Sequence, residues 1–185
     1  MLNSDVKTLT TAAKHHWPQA PDDKARRYIG QFFNTSRTGT KIIGQVVGNH
    51  GTYTVSIQVG ASGVSSACSC YIGKEGYCHH CHALAITFVN DPDVFQAIEP
   101  KDLHQVENLT AIEEYLRGVT LDALLTEMRA KGITQKAFAE SIGMNPRHLS
   151  AVKSSELRNR YYNELGAIKL ACLWVMEHIQ QTKHQ

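Results

Sequence analysis

The chain has 185 residues, 42% hydrophobic and 19% charged, with a formal net charge of +2. These values are ordinary for a globular protein of one domain or two small ones. No apolar run approaches membrane-spanning length, and the N-terminal MLNSDVKTLTTAAKHHW lacks the apolar core of a signal peptide. The expected location is therefore the cytoplasm, in association with the nucleoid, or the nucleus of a nucleated cell. No membrane partner is expected.

The distribution of charge says more than its sum. Residues 1–41 carry seven Lys/Arg against three Asp/Glu, and residues 91–114 carry one against seven. Residues 144–162 carry Arg147, Lys153, Arg158 and Arg160 against Glu156 alone. A basic start, an acidic middle and a basic stretch near the end suggest a modular chain with at least one anion-facing surface.

Residues 24–60 read as β structure. YIGQFF, KIIGQVV and YTVSIQV are rich in β-branched and aromatic residues. Gly48-Asn49-His50-Gly51 between the last two is a hairpin signal. Val55, Ile57 and Val59 alternate with polar residues, as in a half-buried strand. ASGVSSACSC adds a candidate third strand that ends in cysteines, and CHHCHALAITFV then turns helical.

Between strand and helix lies the densest chemistry in the chain, CSCYIGKEGYCHHCH. Where thiols stay reduced, clustered cysteines are metal ligands more often than disulfides, and five cysteines is an odd number for a closed disulfide framework. In an extended segment Cys68 and Cys70 project to the same side and can grip one ion together. The loop with Gly73 and Gly76 returns the chain to Cys78. Cys78 and His80 cannot share an ion from mid-helix, because residues two apart face opposite ways. They can if Cys78 lies in the turn and His80 in the first helical turn. Thiolate and imidazole around zinc make a closed structural site, without the open position that a catalytic zinc needs. Cys81 is also at hand, and an all-thiolate set of Cys68, Cys70, Cys78 and Cys81 is the alternative.

C-x-C, seven residues and C-x-H, followed by the small apolar ALAI, resembles the SWIM zinc finger. The upstream ARRYIG and the hairpin KIIGQVVGNHGTYTVSIQV stand where that family has Arg-Tyr and two strands, so the resemblance covers about residues 24–90. It implies Cys68, Cys70, Cys78 and His80 as ligands of Zn2+, and a module able to bind protein or DNA.

Residues 90–119 are acidic, contain Pro92 and Pro100, and read as a connector with a short helix near Leu109–Leu116. From Thr120 the character changes. Leu121, Leu124, Leu125 and Met128 make one helical stripe, with Thr120 as N-cap and Gly132 as stop. Thr134 caps the next helix, which carries Phe138, Ala139 and Ile142, and Gly143 ends it. Asn145 then caps a further helix with Pro146 at its first position. Two short helices across a tight glycine turn predict a helix-turn-helix.

The run TQKAFAESIGMN resembles the Cro/C1-repressor type of helix-turn-helix domain, over about residues 120–180. The resemblance implies that the helix from Asn145 to Ser155 lies in the major groove of double-stranded DNA. Arg147 is then the best candidate to touch a base edge. Gln135, Asn145, His148, Lys153, Ser154, Arg158 and Arg160 could hold phosphates or bases. One such module reads only a few base pairs, so a homodimer is implied. A 3-4-3-4 stripe in the last helix, Leu165, Ile168, Cys172, Val175 and Ile179, is one candidate seam. Packing of that stripe on its own domain is the other reading.

The expected fold class is thus α+β: a small β-hairpin and zinc-finger module (residues 1–95), an acidic connector (96–118) and an all-α helix-turn-helix bundle (119–185). The expected function is sequence-specific DNA binding in transcription regulation, with a protein-interaction adaptor in a DNA-associated complex as the alternative. No paired carboxylates in an apolar setting, phosphate-cradling glycine loop or Ser/His/Asp arrangement stands out, so no enzyme is expected.

Overall fold

The computed structural model describes residues 2–60, 63–75, 78–99, 106–160 and 162–178. It is α+β, with the strands early and most of the helices later. It divides into two compact units, residues 1–100 and 101–185.

The first unit opens with helix α1 (Leu2–His16), which the composition-led reading of the N-terminus passed over. Its signal is a stripe at helical spacing: Leu9, Ala13 and the following Trp17 are buried, and Val6 packs beside them. YIGQFF is not a strand, contrary to the sequence expectation. Asp22 Oδ1 accepts from Ala25 N at 2.7 Å and starts the short helix α2 (Asp23–Arg26). A turn follows through residue 30, and Tyr28 and Phe32 pack singly against the core. Extended structure begins only at Phe33.

Strands β1 (Phe33–Thr38), β2 (Lys41–Gly48), β3 (Gly51–Gly60) and β4 (Gly63–Cys68) form an antiparallel meander. The short β5 (Gln96–Ala97) joins it in parallel beside β1, giving the order β4-β3-β2-β1-β5. The β2–β3 hairpin closes on the Gly48–Gly51 pair and sets Ile42 opposite Ile57. That register places Ile42, Val46, Val55 and Ile57 in the core. Helix α3 (His79–Asn90) contributes Leu84 and Phe88 to the same core, and α1 adds Leu9, Ala13 and Trp17. Full burial of such a side chain stabilises by about 1.5–3 kcal/mol.

Among the described residues the second unit has five helices: α4 (Leu109–Gly118), α5 (Leu121–Ala130), α6 (Gln135–Ser141), α7 (Pro146–Leu157) and α8 (Leu165–His178). The starts of α4, α5, α6 and α7 are set by side chains that accept a backbone N–H two or three residues ahead. Asn108 accepts from Ala111, Thr120 from Ala123 and Thr134 from Ala137, while Asn145 accepts from Arg147. Gly143, at φ +71, turns the chain between α6 and α7 in a conformation that a side chain would strain. Leu121, Leu124, Met128, Phe138, Ala139, Leu149, Val152, Ile168 and Cys172 form the core, and Tyr115 and Leu116 of α4 pack against it.

Of the proposed seam in α8, Ile168, Cys172 and Val175 are buried in their own unit, Leu165 packs beside them, and Ile179 lies outside the described residues. The stripe is internal core. The exposed apolar side chains of α8 are instead Leu170 (44%) and Trp174 (56%).

Candidate functional site

β4 runs straight into the cysteine cluster. Cys68 is its last residue, and Ser69 N donates to Thr54 O, so the strand's edge continues to be held as the chain bends away. A 3-10 turn (Ile72–Glu75) follows. It presses so close to the strand end that a Cβ on Gly73 would lie 2.4 Å from Cys68 O and 2.7 Å from Cys68 Cβ. Only glycine fits this approach. The same approach lets Gly73 N donate to Cys70 Sγ at 3.1 Å, while Cys70 N donates to Cys68 Sγ at 3.5 Å. Gly76, the other glycine of the loop, lies outside the described residues.

Cys78 is the N-cap of α3, with extended backbone at φ −156 and ψ 168, and His80 is the second residue of the helix. The turn-then-helix placement resolves the conflict between residues two apart. His80 Nδ1 lies 3.7 Å from Cys68 Sγ and 3.7 Å from Cys78 Sγ. One donor atom from each of Cys68, Cys70, Cys78 and His80 lies within 4.8 Å of the other three, and all four residues are buried. This is the one such group among the described residues, and it can hold a metal ion. Cys81, fully buried, places its Sγ 3.7 Å from Cys78 Sγ but stands outside that mutually close set.

The hydrogen bonds of the cluster favour the thiolate at Cys78 over its neighbours. Hydrogen bonds from Cys68 and Cys81, with a further one from His80, hold the Cys78 thiol far below its ordinary range against the opposing effect of burial. The same hydrogen bond to Cys78, then burial, raises Cys68 and Cys81. Burial first, then the charge at Cys78, raises Cys70. Three sulfurs and one imidazole nitrogen, inside an apolar core, form a cage that a cation would complete.

Aromatic rings fix the imidazole. Tyr28 meets the His80 ring edge-on at 4.6 Å, Tyr53 lies at 5.0 Å, and the neighbouring His79 at 4.0 Å. Tyr28 also stacks on His79 at 5.6 Å. The failed strand YIGQFF thus supplies part of the wall of the site. His80 Nε2 is buried with no hydrogen-bond partner, as is His82 Nε2, whose ring stacks on Trp17 at 6.2 Å. Burial lowers the pKa of His79 and of His82.

The residues named as DNA contacts lie on or beside α6 and α7. Gln135 Nε2 donates to Ser150 Oγ at 2.8 Å and ties the start of α6 to the middle of α7. Arg147, Ser154 and Arg158 are exposed, and Arg160 is half-buried. The other three are engaged within the unit. Asn145 Oδ1 caps Arg147 N, and His148 lies 4.0 Å from Glu164 and edge-on to Tyr162. Lys153 Nζ lies 3.1 Å from Asp122 on α5, so its charge is largely neutralised there.

Sequence reasoning missed an ion pair between buried Lys169 and half-buried Glu156. Glu156 of α7 accepts from Leu121 N at 2.6 Å, and Lys169 of α8 reaches both Glu156 and Leu116 O, the latter at 2.7 Å. Lys169 sits amid LGAIKLACLWV, and a lone lysine in an apolar helix is the signal that could have found it.

No helix among the described residues is long and apolar enough to cross a membrane. Comparison with known proteins finds no family model, no curated protein and no solved structure that matches the chain.

Proposed function

We propose that the chain is a zinc-containing, sequence-specific DNA-binding protein that regulates transcription. In this reading Zn2+ is held by Cys68, Cys70, Cys78 and His80, and α7 reads the major groove. Zinc is favoured by the donor chemistry, three sulfurs and one imidazole. The spacing supports it. Bonds of about 2.3 Å to sulfur and about 2.0 Å to nitrogen in a tetrahedron put sulfur and nitrogen roughly 3.5 Å apart, close to the 3.7 Å separations of His80 Nδ1. Four protein ligands leave no open position, so the metal's role is to fold the first unit and to hold β4 to α3. The chain is then a binding protein rather than an enzyme.

The observation that carries the DNA reading is the pairing of α6 and α7. Two short helices meet across Gly143, are tied by the Gln135–Ser150 hydrogen bond, and leave Arg147 exposed in the first turn of the second helix. That arrangement fits a helix-turn-helix in which α7 enters the groove and its N-terminal residues reach base edges. Arg147 is the reader, with Gln135, Ser154, Arg158 and Arg160 as further contacts. Asn145, His148 and Lys153 take part by shaping the helix start and its flanks.

A gel-shift series against genomic fragments at two salt concentrations tests this. Selective binding that weakens with salt is expected, and its absence at both salt levels sinks the DNA reading. The adaptor reading then takes its place, favoured by the exposed Leu170 and Trp174 on α8.

A further inference from the structure

The metal set leaves one sulfur of the cluster unused. Cys81 is fully buried beside the ligands, and its Sγ is 3.7 Å from that of Cys78. The two residues form a C-x-x-C pair at the start of the twelve-residue helix α3, Cys78 at the N-cap and Cys81 within the first turn. A disulfide needs the sulfurs about 2.05 Å apart, so the two sulfurs, now 3.7 Å apart, have a short gap to close. While a metal holds Cys68, Cys70, Cys78 and His80, the Cys81 thiol alone among these sulfurs remains uncommitted.

We propose that Cys81 is the resolving thiol of an oxidant-sensitive metal centre, in which a Cys78–Cys81 disulfide forms and the metal ion leaves. The inference rests on the metal-binding reading given above. The step is two-electron. The Cys78 sulfur attacks one oxygen of hydrogen peroxide, the O–O bond breaks and hydroxide departs, leaving a sulfenic acid. The Cys81 sulfur then attacks Cys78, the S–O bond breaks, and the departing oxygen takes up protons to leave as water. The thiols are oxidised to one disulfide, and peroxide is reduced to two waters. Loss of the Cys78 thiolate leaves three donors, Cys68, Cys70 and His80, too few to close a tetrahedral site.

Burial selects the oxidant. Cys78 is 3% exposed and Cys81 is 0% exposed, so the first attack falls on Cys78, and its narrow opening favours a small peroxide over a bulky disulfide such as oxidised glutathione.

The test uses the full chain loaded with zinc, a chromogenic chelator to follow release, and peptide mapping of the products. Peroxide is expected to free the zinc in step with a Cys78–Cys81 linkage, and oxidised glutathione to free it many-fold more slowly. Cys81→Ser and Cys81→Ala should both still load zinc. Under peroxide each should release it several-fold more slowly, with a sulfenic acid at Cys78 that dimedone traps once the chain is unfolded. Release at the wild-type rate in these variants, or a linkage joining Cys78 to Cys68 or Cys70 instead, overturns the proposal. A wild-type chain that takes up no zinc yet forms the Cys78–Cys81 bond under peroxide overturns the metal reading and upholds the thiol pairing.

Discussion

The ammonium of Lys169 lies 2.5 Å from a carboxylate oxygen of Glu156, and only 4% of the lysine is exposed. The pair also satisfies Leu121 N, at the start of α5, and Leu116 O, near the end of α4. One charge pair thus binds four helices at a point where the backbone is interrupted. Removing Glu156 leaves the Lys169 charge buried, which costs about 3–5 kcal/mol. Glu156→Ala is therefore expected to lower the stability of the second unit by that order in urea denaturation. Glu156→Gln with Lys169→Met should cost less than the sum of the two single changes. A loss below about 1 kcal/mol, the value of an exposed pair, would show that the pair is solvated.

The choice of fourth ligand has a direct test. His80→Ala and Cys70→Ser are expected to lose the metal, whereas Cys81→Ser keeps one zinc per chain, as read by elemental analysis of the purified protein. Zinc retained in His80→Ala but lost in Cys81→Ser would mean that the all-thiolate set is the real one.

Gly73 carries the close approach of the 3-10 turn to Cys68. In Gly73→Ala the new methyl meets backbone, 2.4 Å from Cys68 O, and backbone cannot swing aside. Zinc affinity should fall at least tenfold, or about 1.4 kcal/mol, in a chelator competition. Gly60→Ala, with nothing within 4 Å of its Cβ, is the matched control. Equal affinities for the two variants would refute the packing argument.

Cys172 lies in the core of the second unit, and burial pushes its thiol up from 9.0 to about 12. A raised acid pKa favours the folded state while both states are protonated. From pH 9 the unfolded chain loses a proton that the folded chain keeps, so this contribution declines as pH climbs toward about 12. The stability difference between wild type and Cys172→Ala should accordingly be larger at pH 8 than at pH 10. A difference that grows with pH contradicts the assignment. The native thiol should also resist alkylation until the unit unfolds.

Arg147→Ala should relax selectivity at a single position of the bound DNA, at a cost of about 1–3 kcal/mol. Arg158→Ala should weaken all sequences alike and flatten the salt dependence. Selected-site sequencing with the two variants separates these effects, and an Arg147→Ala protein that enriches the wild-type site would remove Arg147 as the reader.

Much of this chain was legible because its signals are local. Thr120, Thr134 and Asn145 cap helices through hydrogen bonds that span two or three residues. Gly143 ends α6 at the positive φ its position called for. The hairpin, the strand into Cys68 and the helix after Cys78 fell where their patterns placed them. YIGQFF misled because β-branched and aromatic content reports burial as readily as extension. Its aromatic residues are held by the Asp22 cap upstream and by contacts with His79, His80 and the core. Helix α1 carries its own local signal, the helical spacing of Val6, Leu9, Ala13 and Trp17, outside the motifs that point to chemistry.

By itself, then, the sequence determined which donors are offered, where the β2–β3 hairpin turns, and where α5, α6 and α7 start. Those properties depend on residues within a turn or a hairpin of one another. Only the tertiary structure decided that His80 rather than Cys81 joins the mutually close set, and that the α8 stripe is core. It also decided that Lys153 answers Asp122 and that Lys169 answers Glu156. These are meetings of side chains from separate elements, and packing in three dimensions, rather than spacing along the chain, brings such atoms within a few ångströms.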